Sequence, residues 1–135
     1  MSFVLDTSVT MAWLFEDEVS AHTDMLLDSL KTGQAWTPST WVHEVGNVLV
    51  MAERRNRITE AQGRHFAELL ASLPIHLAET HTRQLWGGAV AVARNHGLSV
   101  YDGAYLDLAM RKGLPLATLD NALKNAAGTV GVEIV

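Results

Sequence analysis

The sequence predicts an α/β fold, a three-layer α/β/α sandwich around a central, mainly parallel sheet of five strands. Three observations carry that expectation. Short apolar runs alternate with stretches of helical spacing along the whole chain, and strands separated by helices imply crossovers between parallel strands. Gly33, Gly97 and Gly113 stand where helix C-terminal caps belong. No internal repeat, low-complexity stretch or Pro/Gly-rich linker interrupts the 135 residues, so they are read as one domain, 1–135.

In chain order, FVLD (3–6) is an apolar run ending on an acid and supplies the first strand. Residues 8–15 and 21–31 carry helical spacing, and AWTP (35–38) is a second short strand closed by proline. Two further helical stretches, 39–55 and 59–72, precede IHLAE (75–79), a strand that follows Pro74. Helical spacing returns over 81–96 and 102–112, LPLATLD (114–120) reads as the fourth strand, and VEIV at the end of the chain as the fifth.

Composition narrows the function classes. The chain is 48% hydrophobic and 19% charged, which marks a globular rather than a disordered protein. Without cysteine there is neither a disulfide framework nor a thiolate metal site, which suits the cytoplasm. The N-terminal MSFVLDTSV has no basic n-region. Apolar runs such as VLVMA (48–52) fall far short of the ~20 residues a bilayer span needs. A soluble cytoplasmic domain is expected. The net charge of −5 argues mildly against nucleic-acid binding, although Arg54, Arg55, Arg57 and Arg64 cluster in one stretch.

The most informative segment is WVHEVGNVLVMA (41–52). At ~100° per residue, Glu44 falls on the face of Trp41, Val48 and Met51, and no Lys or Arg stands three or four residues away. A carboxylate withdrawn from water without a partner costs several kcal/mol or must stay protonated. A distant arginine, Arg83 or Arg94, would resolve the conflict, and so would a shared cation. Asp6 stands at the end of the first strand, Asp120 just past PLAT, and Asp102 at a helix start. Singly, each reads as a helix N-cap; jointly, three Asp and one inward Glu form an oxygen-only set suited to Mg²⁺ or Mn²⁺ rather than Zn²⁺. In open parallel sheets, ligands bind outside the carboxyl ends of the strands, and hard cations held there are common equipment for phosphate-ester hydrolysis.

The segments VLDTS, HEVGNVL, LSVYDGAYLDLA and LPLATLDNAL, in that order from residue 3 to about 123, resemble the four acidic motifs of the PIN-domain superfamily. The compact length resembles the VapC-type ribonuclease toxins of toxin–antitoxin modules. The resemblance implies a five-stranded parallel sheet, Mg²⁺/Mn²⁺-dependent RNA hydrolysis by metal-activated water, neutralisation by a cognate antitoxin, and homodimers. Carried over, Asp6, Glu44, Asp102 and Asp120 become the catalytic and metal-holding acids. Thr7, Ser8 and Thr118 become their supporting hydroxyls. Asp107, ~140° around the helix from Asp102, is left out of the set.

Two surface features keep two readings each. Arg54, Arg55 and Arg57 of ERRNR would grip an RNA backbone or simply form a solvated helix terminus. Trp13, Leu14, Phe15 and Trp41 would form a groove for an antitoxin helix or pack into the core. Against a receiver domain or a haloacid-dehalogenase-type phosphatase, the first strand ends in DTS and carries no paired acids. A non-catalytic RNA- or protein-binding module on the same fold is the remaining alternative.

Overall fold

The computed structural model describes all 135 residues. Four parallel strands, β1 (Ser2–Leu5), β2 (Gln34–Pro38), β3 (Ile75–Ala78) and β4 (Leu116–Ala117), form a sheet in the order β3-β2-β1-β4. Val4 stands between Trp36 of β2 and Leu116 of β4 in register. Phe3, Val4 and Leu5 are all 0% exposed, so β1 is covered on both faces, the pattern of a parallel sheet flanked by other layers.

The expected fifth strand is reduced to a single parallel bridge between Leu116 and Ile134. Leu116 donates to the Glu133 carbonyl and accepts from the Val135 amide. With only two residues of β4 in ladder geometry, the closing VEIV has little strand to pair with.

Between the strands lie α1 (Thr7–Ala12), α2 (Ala21–Ser29), α3 (Thr40–Arg54), α4 (Glu60–Ser72), α5 (Thr82–Gln84), α6 (Val90–His96), α7 (Val100–Lys112) and α8 (Asn121–Val130). The predicted continuous helix 81–96 is broken by a π-helical turn at Leu85–Ala89, sequence LWGGA. Two adjacent glycines weaken the helix there, and Gly88 abuts the Asp107 carboxylate so closely that a Cβ would come within 2.7 Å of its oxygen. Helix α8, for which the sequence offers only the cap reading of Asp120, is started by Asp120 and ended by Gly131, at φ 78°. Gly97 and Gly113 are the left-handed C-caps predicted. Gly33 is not one; a Cβ there would collide with the Met1 carbonyl, so its role is close approach to β1.

The core gathers around β1. Helix α7 packs on β1, β2 and β4, contributing Tyr105, Leu106 and Leu108, all at most 1% exposed. Fully burying a leucine contributes roughly 1.5–3 kcal/mol, which makes α7 the element that fixes the sheet's surroundings. Because its core face runs through residues 105, 106, 108 and 109, its first turn is held at the carboxyl edge of β1 and β4.

Candidate metal centre at the carboxyl edge of the sheet

The strand order reverses between β1 and β4, and the loops leaving those two strands carry Asp6, Thr118 and Asp120. Asp6 is 5% exposed, and every bond around it is local to this edge. Its amide donates to the Ala117 carbonyl at 3.0 Å. One carboxylate oxygen caps α1 by accepting from the Thr7 amide at 2.8 Å. The other accepts from Ser8 Oγ and from Thr118 Oγ1, each at 2.7 Å. The cap reading of Asp6 therefore holds, and it leaves the second oxygen to the hydroxyls named as its supports.

Those hydroxyls link two loops. Ser8 Oγ accepts from the Leu119 amide at 2.9 Å and Thr118 Oγ1 from the Asp120 amide at 3.1 Å. Asp120 caps α8 by accepting from the Leu123 amide at 2.9 Å, through one oxygen only. Beneath Asp6, Trp41 donates its indole N–H to Thr10 Oγ1 at 3.0 Å, and Thr10 donates to the Asp6 carbonyl at 3.1 Å. Trp41 thus braces α3 against α1. It is 7% exposed and packs in the core, the second of the two readings given to it.

The cap expectation fails for Asp102. Ser99 is the N-cap of α7 and accepts from the Asp102 amide at 3.1 Å, so Asp102 stands in the first turn rather than at the cap. Its carboxyl is held above the ordinary range, first by burial, then by the charges of Asp6 and Asp120.

Glu44 meets no arginine. Tyr105 OH donates to its Oε1 at 3.0 Å and Thr7 Oγ1 lies 3.3 Å from its Oε2. Burial raises its pKa most, and the charges of Asp6 and Asp102 add to the rise against the Tyr105 and Thr7 hydrogen bonds. Tyr105 is fully buried and pushed far up by that burial, so it stays a phenol and a donor. Sequence reading missed Tyr105. The available signal was its spacing, three residues after Asp102 and so on the same helix face.

None of the four acids forms an ion pair; the pairs present are Lys31–Asp28, Arg57–Asp17, Arg57–Glu18, Arg64–Glu60 and Arg111–Asp107. Asp107 is thereby accounted for outside the site. The acids sense one another's charge, yet no three carboxylates or histidines stand close enough to cage an ion directly. Mg²⁺ characteristically takes one or two carboxylates and keeps several waters. An all-oxygen, cation-free donor set of this spread fits an ion held in that way.

The basic cluster is divided. Arg57 is engaged by Asp17 at 2.7 Å and Glu18 at 3.2 Å and stacks over the Phe15 ring at 3.6 Å, so it is not a free phosphate contact. Arg54 and Arg55 are exposed, but Arg54 lies ten residues, about 15 Å, along α3 from Glu44. Phe15 is 5% exposed, whereas Trp13 and Leu14 are half-buried and line a groove of about 720 Å³ with Phe15, Arg57, Ile58 and Leu69. The Trp13 indole N–H is bound to the Thr23 carbonyl at 2.8 Å. No helix is long and apolar enough to cross a membrane.

Comparison with known proteins places the chain by family and fold. The PIN domain family model matches residues 3–129. Ribonuclease VapC3 of Pyrobaculum aerophilum is 29% identical over 123 residues, 91% of this chain and 92% of that protein. The crystal structure of PAE2754 from Pyrobaculum aerophilum shares 26% identity at a TM-score of 0.72, covering 100% of this chain and 92% of that one. A toxin–antitoxin complex from Klebsiella pneumoniae shares the fold at a TM-score of 0.67 and 18% identity, over 98% and 95% of the two chains. With almost its whole length matched, the chain belongs to the PIN-domain family.

Proposed function

We propose that this protein is a divalent-metal-dependent endoribonuclease, the toxin of a toxin–antitoxin pair, which hydrolyses RNA phosphodiester bonds and is neutralised by a cognate antitoxin. The observation that carries the reading is the convergence of four acids from β1, α3, α7 and the β4 loop without any Lys or Arg to neutralise them. Such a set is stable at neutral pH only when protonated or when a cation offsets the mutual repulsion. The likeness to a ribonuclease named VapC3 supports the substrate class. The likeness to a toxin–antitoxin complex supports the partner. The whole chain would act as one nuclease domain, as a homodimer.

Asp6 and Asp102 would be the principal ligands of Mg²⁺ or Mn²⁺, with Glu44 and Asp120 completing the shell or holding a second ion. Bound there, the ion supplies Lewis-acid polarisation of the phosphoryl oxygen and acidifies a coordinated water. The chain's own part is to hold the acids in place and aimed. Ser8 and Thr118 fix one Asp6 oxygen, and the buried Trp41–Thr10 brace fixes the backbone beneath it. Water adds in line to phosphorus and the P–O3′ bond breaks, leaving 5′-phosphate and 3′-hydroxyl ends.

The test is incubation of pure, antitoxin-free protein with total RNA in Mg²⁺, Mn²⁺ or chelator, with the ends mapped. Cleavage with either ion, none with chelator, and at least a hundredfold loss in folded Asp6→Asn are expected. Near-normal cleavage by Asp6→Asn would overturn the assignment. No cleavage by the native protein together with no thermal response to either ion would leave the non-catalytic module as the reading.

A further inference from the structure

We propose that Tyr105, acting with Thr7, is a positioning residue that turns the Glu44 carboxylate so that Oε2 is presented to the cation. The inference deepens the nuclease reading and rests on it. It stands on a count of protons. Three contacts join Thr7 Oγ1, Tyr105 OH and the Glu44 carboxylate: Thr7–Tyr105 at 2.9 Å, Tyr105–Oε1 at 3.0 Å and Thr7–Oε2 at 3.3 Å. A carboxylate that ligates a cation carries no proton, so in the loaded site the two hydroxyls supply the only two. Only two of the three contacts can therefore be hydrogen bonds. The two shorter ones form a chain in which Thr7 donates to Tyr105 and Tyr105 donates to Oε1.

That chain leaves Oε2 without a proton, at the longest of the three distances, in a carboxylate whose neighbours include the charges of Asp6 and Asp102. An acceptor oxygen so left needs a cation or water. The phenol suits the task because it is rigid and fully buried on α7, packed on the same face that carries Asp102. One residue thereby ties the aim of Glu44 on α3 to the position of Asp102. Ligand orientation by an outer hydrogen bond is the usual way a protein tunes metal affinity, and losing one such bond lowers affinity about 10–100-fold.

The experiment measures Mn²⁺ binding without RNA, by electron paramagnetic resonance of free Mn²⁺, on native protein, Tyr105→Phe, Glu44→Gln and the double variant. Tyr105→Phe keeps the ring and should fold, as checked by circular dichroism; its Mn²⁺ Kd should rise about tenfold. Glu44→Gln should weaken binding at least as much, and adding Tyr105→Phe to it should change nothing further, because the phenol acts only through Glu44. A Tyr105→Phe protein that binds Mn²⁺ like the native one overturns the proposal, as does an effect that adds fully onto that of Glu44→Gln. If Tyr105→Phe does not fold, the pair Thr7→Val and Thr7→Ser reads the same chain: serine should restore the affinity that valine loses, and equal affinities overturn it. Native protein that binds no Mn²⁺ at all refutes the nuclease reading itself, a result distinct from any of these.

Discussion

Glu44 and Asp102 are acids whose protons the folded protein holds more tightly than the unfolded chain does. Above the ordinary values of 4.5 and 3.8, the native state therefore binds more protons than the unfolded one. Stability from these two groups falls as pH rises from there through their raised native values. Chelated native protein is expected to lose Tm as pH rises above the ordinary carboxylate range. Glu44→Gln and Asp102→Asn should flatten that slope and melt a few degrees higher at neutral pH without metal. Saturating Mn²⁺ should reverse the order, because only the ionised site gains from the cation. A native profile that rises with pH in chelator would contradict the burial and repulsion assigned to these acids. The four acids could be singled out in the sequence by position, Asp6 and Asp120 at strand ends, Asp102 at a helix start and Glu44 on an apolar helix face. Tyr105 could not be, because a tyrosine in a helix reads as core until the partner of its hydroxyl, sixty-one residues away in Glu44, is known.

Elements were legible where their signals are local. Helices α3, α4 and α7 fall within two residues of the expected bounds because caps and apolar spacing mark both ends. The π-helical turn was not legible, since it depends on Gly88 meeting Asp107 of another helix. Helix α8 was masked by reading LPLATLD as strand to its last residue, although β4 is only Leu116–Ala117. The site depends on how tightly α7 approaches its neighbours. A Cβ on Gly103 would stand 2.7 Å from the Ala89 carbonyl and 3.2 Å from the Ala93 amide nitrogen. Gly103→Ala must therefore push α7 away from the π-helical turn and α6, one residue after Asp102. It is expected to cost about 1–3 kcal/mol in denaturant unfolding and to lower nuclease activity more than that loss of folded protein explains. Unchanged stability would mean that the two helices yield freely.

On the scale of the whole molecule, the four acids come from segments spread between residues 6 and 120, and the sheet centre brings them together. Val4 and Asp6 donate their amides to Pro115 at 2.8 Å and Ala117 at 3.0 Å, deep in the most buried strand. Those two amides should exchange with solvent only on global unfolding, while those of α4 exchange through smaller openings. Native-state hydrogen exchange checks this, and rapid exchange at Asp6 would show that β4 detaches on its own. The parallel order was partly legible from the alternation of elements. The weakness of the fifth strand was not, because it follows from how short β4 is.

The β1–β4 pairing also sets a schedule. Asp6 meets its side-chain partner Thr118 across 112 residues of chain, and its amide partner Ala117 stands one residue before that. Contacts so far apart in sequence must first repay the entropy of closing the long loop between them. The seat of the first acid is therefore a late product of folding, completed after the local helices have formed.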